Sequence, residues 1–381
     1  MQPFGVLAAL RAAERCHECF DSLQRVVTRV TEKPCSMQEV LKARTKRGAM
    51  RNWKSHLKAD PVPWLLEDDN PSVKYCTLVD ILDRPLDDLE VEKTKEDIMK
   101  TGAVPKILAK QKDGGYWGIP QDFYIRSKYK GTVWTFIILA QLQADKNDER
   151  IRKTCEFILD HSQDRESGGF SYASGENGGA HHKILPCLTG NMVWGLIRFN
   201  YSDDHRVQQG INWITTYQRF DDGIEHAPTG WPYKSEQCWG KHTCLFGVVK
   251  TLKALAEIPP DKRSHKVKTT IEKAAEYLLI HHIYKRSHDL TRVSKPEWLQ
   301  FGFPLMWNTD TLEILSILTK LNYKDKRMQE AVDLLISKQN NDGTWNLEHT
   351  YNGRFQVSIE RKGKPSKWVT LHALTVLKRY S

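Results

Sequence analysis

One short turn recurs along this chain at a nearly constant interval, and it constrains the fold more than any other feature. Gln111-Lys-Asp113-Gly114-Gly115-Tyr-Trp117, Gln163-Asp-Arg-Glu-Ser-Gly168-Gly169-Phe170, Gln218-Arg-Phe-Asp221-Asp222-Gly223-Ile224 and Gln339-Asn-Asn-Asp342-Gly343-Thr-Trp345 share one grammar: Gln, an acidic Gly turn, then an apolar or aromatic residue. They begin 52, 55 and 121 residues apart, the last interval being two periods. Such a period marks a repeat architecture, in which each unit is a supersecondary pair that buries its apolar face only against its neighbours. A degenerate fifth copy is expected near residue 280, where His281-His282-Ile-Tyr284 stands without the Gly.

The segments before these turns place apolar residues at i, i+3, i+4 and i+7, as in Val332, Leu335 and Ile336. This predicts amphipathic helices over Glu149–His161, Val207–Tyr217, Lys266–His281 and Met328–Lys338. Charged turns containing Asp148, Asp204 and Asp325 precede three of them and suit helix N-termini. After each turn and a loop comes a more uniformly apolar helix: Thr132–Leu142, Leu188–Phe199, Thr243–Ala256, Asn308–Leu321 and Val369–Tyr380, with Pro71–Leu82 as a sixth. Helices apolar all round are enclosed and amphipathic ones have a wet face, so each repeat reads as an inner and outer pair. Lys93–Lys110 and a closing segment over Ser36–Leu57 supply the remaining outer partners.

The expected class is therefore all-α, with six inner and six outer helices in an (α/α)6 ring closed around a cavity. Exactly six pairs can be counted, and the inner helices carry large aromatics. An open solenoid is the structural alternative. Length separates this from two average domains: about 55 residues per hairpin consumes residues 51–381 as one domain and leaves 1–50 as a basic extension, partly helical or flexible.

Composition excludes several other classes. With 40% apolar residues and 12 Trp, 13 Tyr and 12 Phe, the chain builds a large core and is neither disordered nor collagen-like. It has no run of 18 apolar residues, so no spanning helix is expected, though peripheral membrane contact is compatible with the sequence. Eight cysteines in 381 residues are too sparse for a disulfide scaffold, and no cleavable signal is recognised, so a reducing, cytoplasmic compartment is expected. The formal charge of +10 is scattered over the outer helices without a nucleic-acid module, so nucleic acid is not an expected partner. Within the first fifty residues, Cys16-His17-Glu18-Cys19 with Cys35 lacks the second half of a zinc pair and reads as cysteines on a marginal helix.

At its turns the chain resembles the terpenoid cyclase and protein prenyltransferase superfamily, whose (α/α)6 toroids carry Gln…Gly…Trp turns known as QW motifs. Gln111…Trp117 and Gln339…Trp345 match the pattern well, and the copies at Gln163 and Gln218 match in part. The resemblance covers about residues 50–381 and is closest to small single-toroid proteins described as squalene-cyclase-like or prenyltransferase-like. It implies a small apolar or isoprenoid substrate in the central cavity and an acid- or metal-assisted cyclisation or transfer. A prenyltransferase-like zinc protein with a partner subunit and a non-catalytic toroid that binds a ligand or peptide are the rivals. Gly, Gln and Trp of the turn have scaffold roles of their own: a tight reversal, a bond to backbone at a helix end and packing on the next hairpin.

The family's catalytic strings are missing: there is neither DxDD nor Asp-x-Cys. Asp80 and Asp83 lie at i and i+3 on the first inner helix, and Glu67-Asp68-Asp69 and Asp203-Asp204 read as helix N-terminal acidity. Asp310, opening an otherwise apolar inner helix, is either a helix cap or a cavity acid of raised pKa; with Asp80 it is the candidate catalytic carboxyl. Cys187, Cys238, His242 and Cys244, at two adjacent inner-helix starts, are candidate ligands for Zn²⁺, the one cofactor considered. Arg126, Lys128 and Lys130 are candidate diphosphate ligands, joined by Arg286, His288, Arg292 and Lys295 in a later loop. Trp134, Trp194, Trp307 and Trp368, with Asn191, are the expected cavity lining, where indole π faces stabilise cations.

Overall fold

The computed structural model describes residues 53–124, 128–223, 233, 238 and 243–381. Cys16–Cys19, Cys35, most of the Ser36–Leu57 closing segment, Arg126 and His242 lie outside the described residues. Among the described residues regular structure is almost entirely helical, so the class is all-α; the strands there form two short antiparallel hairpins, the first of β1 (Ser174–Gly175) and β2 (Gly178–Gly179).

The inner series consists of α1 (Pro71–Cys76, continued by a π turn over Thr77–Ile81), α4 (Thr132–Gln141), α6 (Pro186–Arg198), α8 (Leu245–Glu257), α10 (Thr311–Lys320) and α12 (Lys367–Tyr380). These helices are buried on nearly every side: in α4 every residue from Thr132 to Ala140 is shielded from solvent. The outer series is α2 (Leu89–Lys100) with α3 (Ala103–Leu108), α5 (Glu149–His161), α7 (His205–Tyr217), α9 (His265–Ile280) and α11 (Gln329–Ser337). Asp88, Asp148 and Asp204 cap α2, α5 and α7 by accepting backbone N–H bonds from the first turn, and Asp325 does the same for the short 3₁₀ turn leading into α11.

Neighbouring inner helices touch in succession. Ser72 Oγ of α1 donates to the Leu142 carbonyl after α4 at 2.7 Å, α4 packs on α6, α6 on α8, α8 on α10 and α10 on α12. The last helix, α12, packs on α1 and its π turn. Each α-pair is thus held from both sides, and the core runs as one continuous hydrophobic cluster from Val62 to Leu377.

The repeated turn is fastened by one bonding scheme. The Trp117, Phe170 and Trp345 backbone N–H groups donate to Thr132, Thr189 and Thr370 Oγ1 in the first turn of the following inner helix, at 3.1, 2.9 and 3.0 Å. The Trp117 and Trp345 indoles reach back to the Ile107 and Leu335 carbonyls at 3.0 and 2.7 Å. Gln111 and Gln163 Nε2 donate forward to the Arg150 and Arg206 carbonyls, opening the next outer helix, at 2.7 and 2.6 Å. The turn glycines have φ near +80°, and a Cβ on Gly115 or Gly168 would stand 2.4 or 2.6 Å from the Lys153 or Gln209 carbonyl oxygen. At the last copy, the forward partner is the beginning of the described chain: Gln339 Oε1 accepts from Lys58 N at 2.9 Å, and a Cβ on Gly343 would lie 2.1 Å from Ala59 O.

Two local expectations are corrected. Lys93–Lys110 is not one helix, because Gly102 at φ +78° ends α2 and Pro105 sits in the first turn of α3, where its missing N–H costs nothing. The degenerate copy near residue 280 is not a Gly turn: His282 and Ile283 take positive φ, and the chain then forms the hairpin β3 (Lys285–Arg286) and β4 (Asp289–Val293). Among the described residues no helix is long and apolar enough to cross a membrane.

Candidate functional site

A large cavity, about 1080 Å³, opens at the N-terminal ends of α6 and α8 and beneath the β3–β4 hairpin. Leu185 and Cys187 come from the start of α6, Cys244, Leu245 and Phe246 from the start of α8, and Lys128 and Trp307 from the segments leading into α4 and α10. Tyr124, Phe246, Tyr277, Trp298 and Trp307 give it aromatic walls. Four basic side chains, Lys128, Arg286, Arg292 and Lys295, line it against two acidic ones, Asp222 and Asp289. Lys128 Nζ stands 5.0 Å from the Trp307 ring centroid and Lys295 Nζ 4.8 Å from that of Phe246, so the cations rest on the aromatic walls. Asp222 is itself occupied, with His281 Nε2 at 3.4 Å from Oδ1 and His288 Nε2 at 3.5 Å from Oδ2.

Three of the sequence-predicted cysteines, Cys187, Cys238 and Cys244, meet in this wall. Their thiols differ sharply. Burial pushes Cys187 up to about 12, whereas a hydrogen bond from the Cys238 side chain, with further bonds from the Gly247 and Phe246 N–H groups, brings Cys244 down to about 7. Among the described residues no three His, Cys, Asp or Glu side chains stand close enough to hold a metal ion. Lys130, at the same end of the molecule, is exposed and lines none of this cavity; its carbonyl accepts from Gln356 Nε2 at 2.7 Å.

A second, smaller cavity of about 240 Å³ receives side chains from all six inner helices. Gln141, Arg198, Glu257, Lys320 and Arg379 come from the last turns of α4, α6, α8, α10 and α12. Asp80, Trp194, Trp368 and His372 line it as well. Ion pairs cross it: Lys320 to Glu257 at 2.7 Å, Arg198 to Glu257 at 3.8 Å, Arg379 to Asp80 at 3.4 Å and Lys253 to Glu313 at 3.0 Å. Glu313 also receives Lys250 Nζ on both oxygens, at 2.8 and 2.6 Å, in a fully buried contact. Trp194 donates from Nε1 to Glu257 and carries Lys253 Nζ 4.0 Å from its ring centroid, so this expected π wall is spent on the protein's own charges. Burial holds the His372 imidazole down at about 4, so it is neutral at physiological pH.

The remaining predicted residues lie elsewhere. Asp310 borders neither cavity: it caps α10, with Oδ1 accepting from Glu313 N at 2.7 Å and Oδ2 from Gly302 N at 2.8 Å. Burial nevertheless raises its carboxyl to about 7. Trp134 is buried against Tyr124, with which it stacks at 4.6 Å, and donates to the Tyr124 carbonyl at 2.7 Å. Asn191 Nδ2 donates to the Met306 carbonyl at 3.0 Å, tying α6 to the loop before α10.

Because the folded state keeps the Asp310 proton to a higher pH than the unfolded chain does, this group contributes stability below about pH 4 that is lost as pH rises toward 7. The unfolding free energy of the wild type, read from urea titrations, is expected to fall over that interval by an amount on the order of 1–4 kcal/mol, lowering the midpoint, and Asp310→Asn is expected to flatten the decline. A midpoint independent of pH in the wild type excludes the shift.

Sequence reasoning missed Asp222, Phe246, Tyr277 and the Lys250–Glu313 pair. A buried Lys inside an apolar helix was the available signal for the last, since such an ammonium requires a carboxylate partner.

No family model and no curated protein matches the chain. Solved structures do align with it. The type II terpene cyclase MstE from Scytonema, as a variant in complex with geranylgeranyl dihydroxybenzoate, aligns at TM-score 0.30 and 16% identity over 75% of this chain and 97% of that one. Apo MstE aligns at TM-score 0.28 and 16% identity over 74% and 97%. A protein from Actinoplanes aligns at TM-score 0.29 and 12% identity over 75% and 99%. Alignments at these scores assign no activity, and the residues of the large cavity are what bear on function.

Proposed function

We propose that the chain is a terpenoid-cyclase-like protein whose six inner helices close a ring, and that it takes an isoprenoid or similarly shaped amphiphile with an anionic head in the large cavity. Ring closure is supported by the packing of α12 on α1 and by the Gln339–Lys58 bond, in which the glutamine oxygen accepts from a backbone N–H where Gln111 and Gln163 donate forward to backbone carbonyls. The ligand reading is carried by one observation: aromatic walls and a surplus of two cations share a single cavity of about 1080 Å³. An apolar chain gains about 25 cal/mol for each Å² it buries against Tyr277, Trp298 and Phe246. A diphosphate head gains charge-assisted bonds from Arg286 and Arg292 and the favourable ends of the α6 and α8 dipoles.

The smaller cavity suits such a ligand poorly. Its volume is about 240 Å³, and an apolar chain entering it would strip the ion pairs on Glu257 and Glu313, leaving desolvated charges. The chemistry that follows is directed at the head group: cations that hold a diphosphate stabilise it as a leaving group, while the faces of Tyr277 and Trp298, on which no lysine or arginine among the described residues rests, stabilise the allylic cation left behind. Protonation of an alkene by Asp310 is less well supported, because both its oxygens accept backbone N–H bonds.

Equilibrium binding of farnesyl diphosphate, farnesol and inorganic diphosphate, followed by product analysis, tests this. Farnesyl diphosphate is expected to bind at least tenfold more tightly than either half alone, and Arg286→Glu with Arg292→Glu to weaken it by tenfold or more, about 1.4 kcal/mol. Equal affinity for farnesol and farnesyl diphosphate removes the role of the cations. A failure of all three to bind removes the reading.

A further inference from the structure

We infer that the protein holds a second ligand site, for a small oxyanion of phosphate type, in a cavity of about 640 Å³ at the ends of α4 and α6 remote from the large cavity. The inference does not depend on the isoprenoid reading. Cys187 at the start of α6 lines the large cavity, whereas Arg198 in its last turn lines this one, so the length of a helix separates the two. Tyr75 of α1, Lys95 and Met99 of α2, Lys146 of the turn before α5 and Phe199 after α6 form the part of the wall that bears on a ligand.

Two of the cations are fastened to one residue. Gln143, just past α4, accepts from Lys95 Nζ on its carbonyl oxygen at 2.7 Å and from Arg198 Nη2 on its side-chain oxygen. The Lys95 ammonium, half-buried, also lies 4.9 Å from the Tyr75 ring centroid. Among the described residues it forms no ion pair, although burial and then the Arg198 charge disfavour its charged form. An ammonium has three donors, and the Gln143 carbonyl takes one of them.

The acids of this cavity are occupied elsewhere. Lys95, Lys100, Lys146 and Arg198 line it against Glu96 and Asp145, four basic side chains to two acidic ones. Glu96 is paired with Lys100 at 2.8 Å, and Asp145 Oδ1 accepts from the Asn147 N–H at 3.0 Å. Arg198 stands 3.8 Å from Glu257, whose nearer partner is Lys320 at 2.7 Å. A doubly charged oxyanion takes charge-assisted bonds from Lys95 and Arg198, where water is partly excluded, and a weaker, screened attraction from the exposed Lys146. The C-terminal ends of α4 and α6 oppose it, but their dipole effect fades within the last turn and is weaker than a charge-assisted bond. The volume also leaves room for an organic group on the oxyanion, against Tyr75, Met99 and Phe199.

The test uses the full chain and reads the acetylation rate of each lysine by peptide mass spectrometry, with inorganic phosphate, adenosine monophosphate or adenosine added at constant ionic strength. Phosphate is expected to slow labelling of Lys95 and Lys146 saturably, by about fivefold or more, and to leave the exposed Lys262 and Lys326 unchanged. Adenosine is expected to protect neither. Saturation by adenosine monophosphate at a concentration about tenfold below that of phosphate assigns the site to an organic phosphate, and equal concentrations assign it to the free oxyanion. In Lys146→Glu, a change at an exposed position, the phosphate concentration that protects Lys95 is expected to rise about tenfold or more, and in Lys95→Met the same rise is expected at Lys146. Circular dichroism of each variant separates loss of fold from loss of the cation. Equal slowing of all lysines, equal protection by chloride, or labelling of Lys95 and Lys146 that phosphate does not alter overturns the proposal and leaves Lys95 as a cap on α4. Lys128 and Lys295 are read in the same maps, so phosphate held in the large cavity is seen separately, and failure here is distinguishable from failure of isoprenoid binding.

Discussion

Replacing Glu313 by Gln is expected to cost the fold about 3–5 kcal/mol, the effect of leaving a buried ion without its partner. The Lys250 ammonium is fully buried and bonds both Glu313 oxygens, and Lys253 bonds one of them, so the substitution strands two cations that α8 cannot release to water. Guanidinium unfolding of the two proteins measures the loss. Glu313→Leu combined with Lys250→Met is expected to recover most of it, because apolar residues of similar volume replace a buried pair at little cost. Equal stability of wild type and Glu313→Gln would show that the pair contributes nothing. The pair also sets an acid limit. Lys250 and Lys253 hold the Glu313 carboxyl down at about 2 against the opposing effect of burial. Its contribution is therefore complete above about pH 4.5 and is lost as pH falls toward 2. Burial moves Lys250 the other way, down to about 8, so its cost to the folded state is relieved as pH rises from 8 toward 10.5.

Gly343→Ala is expected to destabilise the protein by about 3 kcal/mol or more. A Cβ there meets the Ala59 carbonyl oxygen at 2.1 Å, and φ is +83°, so both strain and a backbone clash result. Gly353, at φ +87° with nothing within 4 Å of its Cβ position, isolates the first of these. Gly353→Ala should cost only the 1–2 kcal/mol or so of a left-handed Ala. The difference between the two melting experiments then reports how tightly the last turn presses on the beginning of the domain. If both variants melt alike, that closure contact is loose, and an open array of hairpins becomes the better description of the chain.

Much of the scaffold was legible in the sequence because its determinants are local. The i, i+3, i+4 pattern gives Glu149–His161 with the observed bounds, and the Asp residues expected before the outer helices do cap them. The Gln111 and Gln163 side chains share one kind of forward partner, a carbonyl opening the next outer helix, and the aromatic N–H of three turns shares another, a Thr hydroxyl of the following inner helix, while Gln218 departs by donating to the Arg219 carbonyl. Where a local rule was overlooked, the error was local too: Gly102 and Pro105 divide α2 from α3, and two positive-φ residues turn the chain into the β3–β4 hairpin. The candidate site was less legible. Lys128, Cys187, Cys244 and Trp307 were each singled out for their surroundings in sequence, yet no periodicity distinguishes Trp307, which lines the large cavity, from Trp134, which is packed under Tyr124.

The sequence by itself determined the repeat length, the number of inner helices and the inner or outer character of the described helices, because all of these follow from helical periodicity and from residues within one or two repeats. Only the tertiary structure decided which cavity has aromatic walls with cations in surplus and which has its charges paired. Lys250 and Glu313, or Cys187 and Trp298, are brought together by packing between hairpins, and the side chain that each helix turns toward a neighbour depends on distances that no local pattern encodes. The same packing separates charge by depth. Carboxylates and ammonium groups from the last turns of the inner helices neutralise one another in the smaller cavity, while at the opposite helix ends the cations of the hairpin and of Lys128 remain in surplus over an aromatic floor.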